Sequence, residues 1–310
     1  MDRELAQYLK ERGKLVDSIL EDLLPPASTY PPIIYEAMRY SVFAGGKRLR
    51  PILCLAGAEA LAKDYTPLLP VAGAIELIHT YSLIHDDLPG MDNDDFRRGK
   101  PTNHRQFGEG IAILAGDGLL TMAFEILSRY GLEQIAEKGF SGQQYLQAIH
   151  EISRAAGVAG MIGGQVLDLQ EAGQEANEEA KEKAKEDVLQ YIHQHKTGAL
   201  FRASIRVGAI LSNASETELA ALTAYSEYFG LAFQITDDIL DITGDKDKLG
   251  KPVGSDTKNQ KITYPAIYGL EGARVLAEEA VEKASGSLSN LPGNIQPLVK
   301  LVNYLLERES

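Results

Sequence analysis

An all-α fold is predicted by three features of the chain. Apolar residues recur at three- and four-residue spacing through most of its length, as with Leu5, Leu9, Val16, Ile19 and Leu23 near the start. Sustained two-residue alternation, which would mark half-buried strands, is hard to find. Glycines and prolines fall between the periodic runs, where they end helices and shape loops. At 310 residues with 44% apolar side chains, the chain can bury a substantial core. No periodic repeat, low-complexity segment or interdomain linker divides it, so residues 1–310 are expected to form a single-domain helical bundle.

The first amphipathic run follows Asp2, Arg3 and Glu4, with neither a basic region leading into an apolar one nor a small-residue cleavage site, unlike an export signal. The stretch from Pro25 to Pro32 reads as a connector, and Pro31 and Pro32 open a helix that Gly45 and Gly46 close. The single cysteine, Cys54, excludes an intramolecular disulfide or a multi-cysteine metal site; it reads as a core residue, which suits a reducing cytosol. From Ala74 to Met91 the chain reads AIELIHTYSLIHDDLPGM, an apolar helical run that ends in Asp86 and Asp87. Gly110 to Leu127 is the most apolar long stretch, and Asp117 and Glu125 interrupt it, so a buried helix is expected and not a bilayer span. Glu171 to Asp187 mixes Glu and Lys at spacings that suit a solvated helix or a surface connection. Lys196 and Thr197 precede a helix start, GALFRASI, and a further helix carries AFQITDDILD. Gly244 to Lys261, rich in lysine and broken by Gly and Pro, reads as a loop.

A formal net charge of −13 argues against generalised binding to nucleic acid or anionic lipid, so any anionic substrate must be held by local cations. Two acidic clusters stand out. Asp86 and Asp87 are adjacent, and the Leu88-Pro89-Gly90-Met91 bend is expected to return Asp92 toward them. Asp237, Asp238 and Asp241 share one helical face with Gln234. Such spacings also arise on solvated helix faces. Here the apolar flanks imply partial burial, where neighbouring carboxylates are costly unless cations compensate them. Oxygen donors without cysteine favour a hard cation, and Mg²⁺ is the usual one where carboxylates share the ion with phosphate.

The basic residues lie in Gly45-Gly46-Lys47-Arg48-Leu49-Arg50-Pro51 and in Arg97-Arg98-Gly99-Lys100. Arginine forks match diphosphate oxygens, although either motif taken alone also reads as ordinary surface charge. A nucleotide-binding P-loop is excluded, because Arg48 stands where Ser or Thr is required and no strand precedes it. His79, two turns before Asp86, is either structural or a donor to phosphate. Lys196, Lys251 and Lys261 could close over a bound anion, the alternative for Lys251 and Lys261 being simple loop solvation, and Gln165 and Asp168 are weaker candidates of the same kind.

Five segments, GGKRLRP at 45–51, DDLPGMD at 86–92, RRG at 97–99, KTGALF at 196–201 and FQITDDILD at 233–241, together resemble the trans-prenyltransferases of the polyprenyl synthetase family. The likeness runs from about residue 25 to near the C-terminus and is strongest to the bacterial farnesyl diphosphate synthases within that family. It implies a helical bundle around a deep central cavity, homodimeric, cytoplasmic and without stable membrane insertion. The implied reaction joins isopentenyl diphosphate head to tail to an allylic diphosphate, with Mg²⁺ as cofactor, three ions binding with the allylic substrate. By motif, Asp86, Asp92, Asp237 and Asp241 would hold the metal, with help from Asp87 and Asp238. Arg97, Lys196, Lys251 and Lys261 would contact the allylic diphosphate, and Thr197 and Gln234 would lie near the developing cation. Lys47, Arg50, His79 and Arg98 would hold isopentenyl diphosphate. Arg308 matches a tail position too loosely to be assigned a role.

Product length rests on Tyr81, five residues before Asp86 and hence roughly 7–8 Å deeper along the helix. The resemblance implies that an aromatic there floors the cavity and stops growth at fifteen carbons. The extended first motif also occurs in geranylgeranyl diphosphate synthases, which are the alternative. A terpene cyclase would replace the second cluster by an Asn/Ser/Glu pattern, and a noncatalytic subunit would have lost aspartates; neither fits FQITDDILD. The apolar excess between Ile111 and Leu127 agrees with a dimer.

Overall fold

A computed structural model describes residues 1–138, 141–171, 182–244 and 262–308. The helices are α1 (Arg3–Leu23), α2 (Pro32–Val42), α3 (Leu49–Glu59), α4 (Leu69–Asp86), α5 (Asn103–Phe107), α6 (Glu109–Lys138), α7 (Gly142–Ala156), α8 (Met161–Glu171) and α9 (Glu182–Ile192). A π-helical turn, His193–Gly198, joins α9 to α10 (Ala199–Leu211), and α11 (Glu216–Thr243), α12 (Tyr264–Ser287) and α13 (Gln296–Glu307) follow. Sequence chemistry accounts for the helix starts. Pro32 occupies the first position of α2, where its missing N–H is not needed. Ser215 and Glu218 cap α11 reciprocally, with Ser215 N–H 2.7 Å from Glu218 Oε2 and Glu218 N–H 3.3 Å from Ser215 Oγ. Thr263 caps α12, which bends at Gly269, where φ is 72°.

Two apolar cores meet along α3 and α10, which contribute to both. One gathers α1, α2, α4, α6 and α7 around Ile75, Leu77 and Ile78 of α4; the other gathers α11, α12 and α13 around Phe201, Tyr225 and Phe229. α4 is buried nearly all round, which is why its sequence shows no polar stripe. Small residues let α3 and α10 touch: a Cβ on Gly208 would sit 2.1 Å from the Cys54 carbonyl oxygen, and one on Gly57 would sit 2.9 Å from that of Ile205. Cys54 is buried there as expected, and burial pushes its thiol up to about 12.

Three sequence expectations change. A hairpin pairs β1 (Phe96–Arg97) with β2 (Lys100–Pro101), too short for any alternation to register. Positive φ at Arg98 and Gly99 makes its turn the type that matches strand twist. Lys196 and Thr197 do stand just before a helix start, that of α10 at Ala199, but they lie inside a π-helical turn that the sequence did not announce. α6, expected to be buried, has an inner face of Ala112, Ala115, Leu119, Ala123 and Ile126 but exposes Ile113, Leu114 and Leu132, the last at 72%. By length and composition the segments Thr66–Asp86 and Glu109–Ala136 could each cross a membrane; the first is 72% buried in the protein and the second 39%. Of the charged run Glu171 to Asp187, residues 172–181 lie outside the described residues, as do Lys251 and Lys261.

Candidate active site

Members of both acidic clusters line one cavity of about 1070 Å³ between α3, α4, α8, α11, α13 and the π-helical turn. Asp86 closes α4, and the turn after it folds back: Met91 N–H donates to Leu88 O at 2.9 Å, and Asp92 N–H donates to Asp86 O at 2.9 Å. The bend expected from Pro89 and Gly90 is therefore present, and Asp86 and Asp92 both reach the cavity wall. Burial pushes Asp86 up to about 6; Lys196 opposes this, while Asp92 and Asp87 add to it. Asp87 turns away, is only 3% exposed, and is gripped by Arg97 through both carboxylate oxygens. Burial also raises Asp87, with Arg97 opposing.

On α11, Gln234, Asp237, Asp238 and Asp241 face the cavity together. Asp238 is nearly buried and accepts the Tyr264 N–H at 2.9 Å, tying α11 to the first turn of α12. Asp237 meets Arg308 from the far end of the chain. The Arg308 Nη2 lies 3.3 Å from Asp237 Oδ1 and 2.8 Å from Phe233 O, and its guanidinium stacks 4.4 Å above the Phe233 ring.

Lys196 and Thr197 project into the cavity from the π-helical turn, a form of helix frequent at functional sites. The Lys196 Nζ donates to Asp168 Oδ2 at 2.6 Å. That pairing needs α8 to lie against the turn, and Gly164 permits it, since a Cβ there would sit 2.2 Å from the Lys196 backbone nitrogen. Gln165, next to Gly164, also lines the cavity. His193 is buried in the same turn, and burial pulls it down to about 4.

Lys47, Arg50, His79 and Arg98 form the cationic wall. Arg50 stacks 4.4 Å over Phe201, and its Nη1 lies 3.3 Å from His79 Nε2. Guanidinium nitrogens only donate, so Nε2 accepts and the ring proton sits on Nδ1. Burial and four neighbouring arginines hold His79 well below its ordinary range. Of the two sequence readings of His79, structural residue or donor to phosphate, the contact with Arg50 agrees with the first, and the Nδ1–H remains a donor. Arg98 donates to the Gly45 carbonyl and occupies the space a Cβ on Gly46 would take, 2.7 Å from the guanidinium carbon. Burial lowers Lys47, Arg308 adds to the shift, and Asp237 opposes it. Arg48 also borders the cavity, but its guanidinium is engaged by protein groups. It bonds Asp17, Glu76 and Val42 O, and these partners hold its left-handed backbone (φ 51°), a conformation that costs a non-glycine residue roughly 1–2 kcal/mol.

Tyr81 shares the cavity wall with Asp86 and meets His85 edge-on at 5.7 Å. Among the described residues no three acidic, histidine or cysteine side chains converge enough to hold a cation by themselves. The carboxylates instead line the cavity from two elements, and burial leaves Asp86 short of compensating charge. This arrangement fits Mg²⁺ that takes its remaining ligands from substrate oxygens and water. Sequence reasoning missed Glu76 and Gly164 and left Arg308 without a role. A lone carboxylate inside AIELIHTY was the available signal for the first; nothing local marked the other two.

The polyprenyl synthetase family profile matches residues 31–301. The chain is 46% identical over 284 residues to a farnesyl diphosphate synthase of Geobacillus stearothermophilus, covering 92% of this chain and 91% of that one. It is 42% identical over 306 residues to a geranylgeranyl diphosphate synthase of Cyanophora paradoxa, covering 99% and 97%. The crystal structure of a geranylgeranyl pyrophosphate synthetase from Pyrococcus horikoshii Ot3 superposes with a TM-score of 0.85 at 34% identity, covering 99% of both chains. With this site and these relatives, the chain belongs to the polyprenyl synthetase family.

Proposed function

We propose that this prenyltransferase condenses isopentenyl diphosphate head to tail with dimethylallyl and then geranyl diphosphate, releasing diphosphate and ending at farnesyl diphosphate. One observation carries the reading: a single cavity is lined both by Asp86, Asp92, Asp237 and Asp241 and by Lys47, Arg50 and Arg98. Two anionic substrates can then be held side by side, one through shared metal and one through guanidinium and ammonium groups alone.

In this reading the four aspartates hold three Mg²⁺ ions with the allylic diphosphate, which Arg97, Lys196, Lys251 and Lys261 also contact. When bound, Mg²⁺ neutralises charge that develops on the leaving diphosphate. The allylic C1–O bond breaks with its electron pair going to diphosphate. Lys196 and Arg97 stabilise that charge, while Thr197 and Gln234 face the allylic cation. Lys47, Arg50 and Arg98 hold isopentenyl diphosphate so that its double bond attacks C1, and a proton passes from the resulting cation to the released diphosphate. No side chain forms a covalent bond.

Tyr81 supports the fifteen-carbon product, because it walls the same cavity as Asp86. The second reading is a twenty-carbon product, favoured by the four residues between Asp87 and Asp92 and by the relative in Cyanophora paradoxa named for it. The chain works as one helical domain, in the cytoplasm, as a homodimer that covers the apolar side chains of Ile113, Leu114 and Leu132 on α6 and Leu146 on α7.

The deciding experiment incubates purified protein with isopentenyl diphosphate and dimethylallyl or geranyl diphosphate, with Mg²⁺ or with EDTA, and separates the dephosphorylated products. A Mg²⁺-dependent C15 alcohol is expected. A C20 product would transfer the assignment to the second reading, and no condensation by folded protein would end both. A mass near 34 kDa by light scattering, the monomer value, would contradict the dimer.

A further inference from the structure

We infer that Glu76 is a positioning residue for the cationic wall: its buried carboxylate holds Arg48, and through Arg48 the loop that presents Lys47 and Arg50 to the cavity. The inference rests on the reading of that wall as the site for isopentenyl diphosphate.

Glu76 lies on α4 one turn before His79 and is 2% exposed. One of its oxygens accepts from Arg48 Nη1 at 2.8 Å, and the other has no hydrogen-bond partner among the described residues. A lone carboxylate is costly inside an apolar helix, and a half-satisfied one more so, unless surrounding cations use its charge. They do. Arg48 is itself buried, with Nη2 2.6 Å from Val42 O and Nε 2.9 Å from Asp17 Oδ1. Asp17 is half exposed, so water screens it, whereas Glu76 acts without that screening. The influence extends beyond Arg48. Burial pulls Arg50 down to about 10 and lowers Arg98, and Glu76 opposes the shift in both.

Arg48 stands between Gly46 and the start of α3 with a left-handed backbone, so the direction of the chain through residues 45–50 follows the anchor of its side chain. Cations gathered in one wall repel one another when no anion is bound. A fixed buried counter-charge keeps them arranged in advance, so the incoming diphosphate need not assemble its own site.

Glu76→Gln keeps the shape and one hydrogen bond and removes the charge. It is expected to raise KM for isopentenyl diphosphate about tenfold, the scale of one charge-assisted hydrogen bond. KM for the allylic substrate and kcat should stay within about twofold, and Glu76→Asp should recover part of the loss. In ligand-free protein, amide hydrogen exchange across residues 45–50 should quicken in Glu76→Gln. Glu59→Gln removes a carboxylate that Tyr8 and Arg12 bond away from the cavity lining, and is expected to lower thermal stability without the KM split. Equal changes in both KM values, or wild-type exchange across residues 45–50, would overturn the inference. If Glu76→Gln does not fold, Arg48→Lys loosens the same tether from its other end and must give the same split. Should the wild-type protein condense nothing, the proposed reaction fails, while the exchange comparison still decides the tether.

Discussion

Arg97 grips Asp87 at both oxygens, with Nε 2.8 Å from Oδ1 and 2.9 Å from Oδ2 and Nη2 2.5 Å from Oδ1. Two adjacent aspartates therefore stand in different surroundings: Asp86 borders the cavity and Asp87 is paired with an arginine. Asp86→Asn is expected to lower kcat by about a hundredfold or more, as loss of an electrostatic catalytic group does. Asp87→Asn should chiefly raise KM for the allylic substrate, about tenfold, with a near-normal Mg²⁺ titration. Steady-state kinetics over a Mg²⁺ series separates the two, and identical Mg²⁺ profiles for both variants would refute the division.

Asp86 also sets a pH dependence. Its carboxyl is raised from 3.8 to about 6. Between those values the folded protein keeps a proton that the unfolded chain has released, so this group's contribution to stability is full below about pH 4 and is lost as pH rises through about 6. Without metal, Asp86→Asn should therefore melt a few degrees above wild type at pH 7 and level with it at pH 4. Calorimetry in EDTA at the two pH values tests this, and a variant less stable at pH 7 would contradict it.

Gly164→Ala would place a methyl 2.2 Å from the Lys196 backbone nitrogen and 2.7 Å from its Cα, with backbone on both sides. The expected cost is about 2 kcal/mol or more in denaturant unfolding. Activity should fall beyond what stability explains, because Lys196 loses its register with Asp168. Wild-type stability would show that the two segments can separate freely.

Tyr81→Ala should open the cavity wall and shift the product from C15 toward C20, read by chromatography. An unchanged product would remove Tyr81 as the length determinant.

His79, held well below its ordinary range, stays neutral at physiological pH. KM for isopentenyl diphosphate is then expected to show no histidine titration between pH 6 and 8. A clear inflection there that disappears in His79→Gln would reverse the assignment of its Nε2 as an acceptor.

Helical periodicity, Pro and Gly punctuation and five contiguous motifs lie along neighbouring positions of the chain, so the sequence by itself determined the helical class, the two acidic clusters and the basic segments. The return of Asp92 to Asp86 was legible for the same reason, since Pro89 and Gly90 dictate a bend over a few residues. Tertiary structure decided which partner each member of a motif meets. Arg48 and Arg50 are two positions apart and both border the cavity, yet one bonds Glu76 and the other lies against His79 and Phe201, because those partners come from α4 and α10. Lys196 with Asp168, and Arg308 with Asp237, join elements 28 and 71 residues apart. Burial of such groups depends on packing between helices distant in the chain. Periodicity within each helix can tell that it packs, but not which distant charge it will meet.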